Sequence, residues 1–136
     1  MIMRIDHIAI VVEDLEQALR VYRDALGLPL SHVQTIPEQD VKIAFLPSGE
    51  SEIELLEPIN PESGVARFLA KRGEGLHHIC LEVDDIKATL AALAEAGMEL
   101  IDEQPRQGPH GQVAFVHPRS AHGVLLELLE REQATT

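Results

Sequence analysis

The sequence predicts a mixed α+β fold, with two tandem βαβββ modules forming an open, curved sheet. Three observations predict it. First, residues 6–15 (DHIAIVVEDL) recur as residues 77–86 (HHICLEVDDI), an offset of 71. Second, the closing stretches Ile53-Glu54-Leu55-Leu56-Glu57 and Leu126-Glu127-Leu128-Leu129-Glu130 match at an offset of 73. Third, apolar alternation switches from the strand period to the helix period inside each copy.

Each element has a local reason. The alternating Ile8, Ile10 and Val12 mark the first strand, and Ile79, Leu81 and Val83 its repeat. Acidic residues then cap helices carried by Leu15, Leu19, Tyr22 and Leu26, and by Ile86, Leu90, Leu93 and Ala94. Gly27 and Gly97 close those helices. Strands are expected near 30–36, 41–47 and 51–57, with counterparts near 98–102, 112–117 and 124–129. The modules span about residues 4–57 and 76–129 of a single domain covering 1–136. Residues 58–75 link them, carrying a short helix near 63–72, with Pro58, Pro61, Gly73 and Gly75 as punctuation. The polar tail beyond Leu129 is expected to fray.

Composition narrows the partners. Eleven Lys and Arg stand against 23 Asp and Glu, a formal charge of −12. Such a surface disfavours nucleic acid and anionic lipid. One Tyr, three Phe and no Trp leave little for base stacking. No apolar run reaches the roughly 18 residues of a membrane helix. The first residues lack a signal-peptide layout, and Cys80 has no cysteine partner, so a reducing cytoplasm is expected.

Strand parity isolates four polar residues. With Ile8, Ile10 and Val12 on the helix-packed face, His7 shares the other face with Ala9. His78 likewise lies beside Cys80, and Glu54 and Glu127 point away from Ile53/Leu55 and Leu126/Leu128. The spacing is 47 residues from His7 to Glu54 and 49 from His78 to Glu127. A single histidine or glutamate in a strand is usually an ordinary polar residue. Four of them related by one repeat form a pattern. If the modules join about a pseudo-twofold axis, the set converges in one cleft. Two imidazoles and two carboxylates suit Mn, Fe, Co, Ni or Zn.

The duplication and this His/Glu set resemble the vicinal oxygen chelate superfamily, which includes glyoxalase I, ring-cleaving dioxygenases and fosfomycin-resistance proteins. Within it, the chain is most similar to the methylmalonyl-CoA epimerases. The stretches that carry the likeness are DHIAIVVEDL (6–15), IELLEP (53–58), GLHHICLEVDDI (75–86), GPHGQVAFVHP (108–118) and HGVLLEL (122–128). The resemblance implies metal ligands at His7, His78 and Glu127. Glu54 matches a fourth ligand position that some epimerases fill with Gln. Glutamate there also resembles glyoxalase I (lactoylglutathione lyase), although HPRSAHGVLLEL before Glu127 lacks the aspartate-rich turn of glyoxalases. A metal-free small-molecule-binding member of the superfamily is the other alternative. The resemblance further implies a cytoplasmic homodimer with one divalent ion per chain, cobalt first among the candidates, and an acyl-CoA substrate.

Epimerisation of (2R)- and (2S)-methylmalonyl-CoA removes the C2 proton and returns it on the other face. The flanking thioester and carboxylate make that hydrogen weakly acidic, and a divalent Lewis acid stabilises the developing enolate. Carboxylates can exchange the proton. Glu127 is expected to be one acid/base, by resemblance, and Glu54 the other, by pseudo-symmetry. The stretch 37–43 resembles a region where one family member offers a catalytic Glu, but the aligned position here is Ile43. Glu38 nearby reads as a loop residue. For coenzyme A phosphates, Arg119 is the candidate contact. Arg67, Lys71 and Arg72 read as surface charge on the linker helix, and Cys80 reads as a small spacer.

Overall fold

The computed structural model describes residues 1–133. Eight strands and three helices follow in the order β1 (Ile2–Val11), α1 (Leu15–Leu19), β2 (His32–Ile36), β3 (Val41–Ser48), β4 (Ser51–Pro58), α2 (Gly64–Arg72), β5 (Gly75–Val83), α3 (Ile86–Glu95), β6 (Arg106–Gln107), β7 (Gly111–Val116) and β8 (Leu126–Arg131). Each repeat is therefore βαβββ. The chain divides into two compact units: His7–His77, and the chain from His78 together with Met1–Asp6. The equivalent histidines, His7 and His78, each open a continuous stretch of one unit.

In the first unit the strand order is β2-β3-β4-β1. β1 and β4 pair in parallel, whereas β3 is antiparallel to both its neighbours. The expected helix-packed face holds: Val12, Leu15, Leu19, Ala44, Leu46 and Leu55 are buried together, with Ile10 and Ile53 against them. The opposite face is also covered. Ala9, Val11, Val41, Ile43, Phe45 and Leu56 form a second apolar cluster, onto which Val65, Phe68 and Leu69 of α2 pack. The linker helix is thus part of this unit, and the face that carries Ala9 is packed beneath it. The helical stretch after β1 widens beyond Leu19: Leu26 N donates to Val21 O (2.8 Å), a π-type bond, over Arg20–Ala25.

The second unit repeats this with β5-β8-β7-β6, β5 and β8 being parallel. Val83, Ile86, Leu90, Ala114, Val116 and Leu128 form its helix-side core. Two expectations are corrected. Residues 98–102 form no strand; Leu100 makes a single bridge to Val116, and the edge strand is Arg106–Gln107. Asp102 explains the shift. Its carboxylate accepts from Phe115 N (2.8 Å), while Ile101 N and Asp102 N both donate to Phe115 O (2.9 and 3.3 Å). A side chain thereby takes the pairing position that a strand residue would hold. The second correction concerns the tail: β8 runs to Arg131, and Glu130 and Arg131 both have partners. Residues 134–136 lie outside the described residues.

The two helix entries share one device. Asp14 and Asp85 accept from Gln17 N (3.1 Å) and Ala88 N (3.0 Å) as N-caps. Glu57 and Glu130, equivalent residues of β4 and β8, accept from the first helical N–H groups, Leu15 N (2.6 Å) and Ile86 N (2.9 Å). A carboxylate at a helix N-terminus satisfies an otherwise unpaired donor and opposes the positive end of the helix dipole. Glu130→Ala should therefore lower unfolding free energy by about 1–2 kcal/mol. A lower urea midpoint at unchanged m-value checks this.

Candidate active site

The strand register builds each His–Glu pair. In the first unit the parallel register sets Ala9 opposite Glu54, with His7 two residues ahead of Ala9. In the second, Cys80 stands opposite Glu127, with His78 two residues ahead. Ala9 and Cys80 are both fully buried, and their small side chains let the neighbouring carboxylate lean back along the strand towards the histidine. His7 Nδ1 lies 3.3 Å from Glu54 Oε2, and His78 Nε2 lies 3.1 Å from Glu127 Oε1. His7 and His78 are each 8% exposed and Glu54 9%. Charged or polar groups this buried require partners, and each pair supplies an imidazole nitrogen and carboxylate oxygens at contact distance.

The flank of each glutamate also repeats. On the antiparallel side Phe45 stands opposite Glu54, and Phe115 opposite Glu127. The Phe45 ring stacks on His32 with centroids 4.5 Å apart. The Phe115 ring meets the His78 ring edge-on at 5.9 Å. Sequence reasoning gave His32 no role and did not single out either phenylalanine. The signal was present, because each is the cross-strand neighbour of a candidate glutamate.

Below the His78–Glu127 pair, the same face of the second unit is ionic. Arg131 Nε donates to Asp6 Oδ1 (3.0 Å) and lies 3.2 Å from Glu82 Oε1. Arg4 Nε donates to the same Glu82 oxygen (3.1 Å). Burial draws the Arg131 pKa down, but the Asp6 hydrogen bond and the charges of Asp6 and Glu82 outweigh it and hold the guanidinium above the ordinary arginine range. A raised folded-state value means that its contribution is complete at all pH values below the unfolded one, so Arg131 brings no pH dependence to the working range.

The other candidates fall elsewhere. Arg119 Nη1 lies 3.5 Å from Glu99 Oε2, and the His117 side chain accepts from Arg119 N (3.0 Å). Arg67 donates to the Glu62 carbonyl, and Arg72 lies over Phe68. His77 packs edge-on to Phe68 of α2, a structural placement. Ile43 is buried in the apolar cluster under α2, and Glu38 is exposed on a 3₁₀ turn. Neither offers a buried carboxylate.

Comparison with known proteins settles the lineage. A model of the Glyoxalase/Bleomycin resistance protein/Dioxygenase superfamily matches residues 6–115. The chain belongs to that superfamily. It is 42% identical over 131 residues to the ethylmalonyl-CoA/methylmalonyl-CoA epimerase of Cereibacter sphaeroides, covering 94% of this chain and 98% of that protein. It is 40% identical over 127 residues to the human mitochondrial methylmalonyl-CoA epimerase, covering 92% and 72%. Among solved structures, the Streptomyces coelicolor methylmalonyl-CoA epimerase in complex with 2-nitronate-propionyl-CoA superposes with a TM-score of 0.85 at 36% identity, over 98% of this chain and all of that one. These similarities agree with the βαβββ duplication seen in the superfamily member described here.

Replacing Arg131 with Met would leave Asp6 without its guanidinium, and Asp6 is only 6% exposed. A loss of about 1–3 kcal/mol is expected, below the figure for a fully buried pair because Arg131 is partly solvated. Chemical denaturation of the variant checks it.

Proposed function

We propose that the protein is a divalent-metal-dependent methylmalonyl-CoA epimerase. The observation that carries the reading is the equivalence of two nearly buried His–Glu pairs, in a chain whose similar relatives along nearly its whole length are named as such epimerases. In this reading His7, Glu54, His78 and Glu127 hold one ion. The donor chemistry fits: imidazole nitrogen and carboxylate oxygen together suit Co, Mn, Ni, Zn or Fe. Cobalt is the first choice. When bound, the ion supplies Lewis-acid stabilisation for negative charge developing on the substrate.

The residues of the chain carry the proton. The C2 hydrogen of methylmalonyl-CoA lies between a thioester and a carboxylate, which makes its removal feasible with a carboxylate base. Glu127 takes or returns the proton on one face of C2, and Glu54 does so on the other. Support for Glu54 is its register equivalence to Glu127, together with Ile43 being buried among apolar residues and Glu38 being exposed on its turn. Phe45 and Phe115 stand cross-strand from the two glutamates. A cytoplasmic homodimer belongs to the same reading. The exposed apolar side chains of Ile2, Met3 and Ile5 on β1 and the buried Cys80, which forms no disulfide, are in keeping with it.

The test follows deuterium entry at C2 and inversion of (2R)- or (2S)-methylmalonyl-CoA in deuterated water, with metal-reconstituted protein, with and without chelator. Exchange with inversion, lost on chelation and restored by metal, is expected. Glu127→Gln and Glu54→Gln should each slow epimerisation by roughly 10²- to 10⁴-fold. One of the two should retain deuterium exchange without inversion, the signature of a single remaining base. Absence of exchange in the metal-loaded wild type would overturn the reading and bring the glutathione hemithioacetal, the substrate of lactoylglutathione lyases, to the front.

A further inference from the structure

Arg106, rather than the Arg119 favoured by sequence, lies over the aromatic ring that borders the second His–Glu pair. Arg119 has one nitrogen, Nη1, 3.5 Å from Glu99 Oε2. Arg106, on the edge strand β6, has its guanidinium carbon 5.5 Å from the centroid of the Phe115 ring. That ring is edge-on to His78 and cross-strand from Glu127. Asp102 fixes the arrangement with its two oxygens. Oδ1 accepts from Arg106 Nε (3.2 Å), and Oδ2 accepts from Phe115 N (2.8 Å). Guanidinium and ring are thus tied to one carboxylate.

Arg106 is held but not consumed. Among the described residues its ion-pair partner is Asp102, which takes Nε and leaves the two terminal nitrogens. The Arg106 side chain is 60% exposed. By contrast, Arg4 and Arg131 of the same unit are engaged by Glu82 and Asp6. A planar fork with its terminal N–H groups free is the geometry that binds a carboxylate or phosphate bidentately. A chain of net charge −12 repels a polyanionic substrate unless a cation is placed locally at its site.

We propose that Arg106 binds an anionic group of the substrate, with Asp102 as its positioning residue. The inference rests on the acyl-CoA reading above. The anion is either the free carboxylate of the acyl group or a phosphate of coenzyme A, and the chemistry recognised is the same.

The experiment uses metal-reconstituted wild type, Arg106→Gln and Arg106→Lys. It measures calorimetric binding and steady-state turnover of methylmalonyl-CoA and of methylmalonyl-pantetheine, which lacks the phosphates. Arg106→Gln should raise Kd and KM roughly 10- to 100-fold with kcat nearly unchanged. Lys should restore part of the loss, as a charge without the fork. Weakening with both esters assigns the carboxylate; weakening with the coenzyme A ester alone assigns the phosphates. Unchanged Kd for both esters, or a fall in kcat with Kd intact, would overturn the inference. Arg106-dependent binding without turnover in the wild type would remove the epimerase reading and leave Arg106 as an anion site. A wild type that binds neither ester would overturn both.

Discussion

A glutamate on one strand can reach a histidine on the next only if the residue beside it is small and the register is fixed. Both conditions are met twice here, by Ala9 opposite Glu54 and by Cys80 opposite Glu127. A slip of one residue would turn each glutamate to the helix side and put a leucine in its place. The apolar clusters of Leu55 with Leu46 and of Leu128 with Val116 oppose that slip, because it would break their packing. The chemistry of each pair therefore depends on core packing on the reverse face of the same strands.

The two units use the same register in different surroundings. In the first, the stretch below the His–Glu pair is apolar and covered by α2 through Val65, Phe68 and Leu69. In the second, the equivalent face carries Glu82 and Arg131, joined by Arg4 and Asp6. Burial along β1 changes parity where the chain passes from one unit to the other. Arg4 and Asp6 turn inward before the change, and His7, Ala9 and Val11 after it, so Asp6 and His7 are consecutive buried polar residues. Duplication preserved the backbone pairing while the side chains beyond the pair diverged.

The repeat, the strand parity and the four His/Glu positions were legible because they are local patterns with a fixed offset. The strand expected at 98–102 was misplaced because the Asp102 side chain, invisible to a periodicity argument, competes with backbone pairing to Phe115. The fraying tail was misread because Arg131 finds Asp6 125 residues away in sequence, a contact with no local signature. The covering role of α2 was missed for a similar reason: Val65, Phe68 and Leu69 sit among Arg67, Lys71 and Arg72, and the charges dominate the sequence impression. Arg106 was overlooked because its distinction lies in what Asp102 leaves unbound, which only three-dimensional geometry displays.

Under the proposed function the two His–Glu pairs serve one ion together. Metal content after reconstitution and dialysis tests it most directly, in the wild type and in His7→Ala and His78→Ala. The account predicts one equivalent of divalent metal per chain, lost in full when either histidine is replaced. Two equivalents that disappear one at a time, or no retained metal in the wild type, would contradict it.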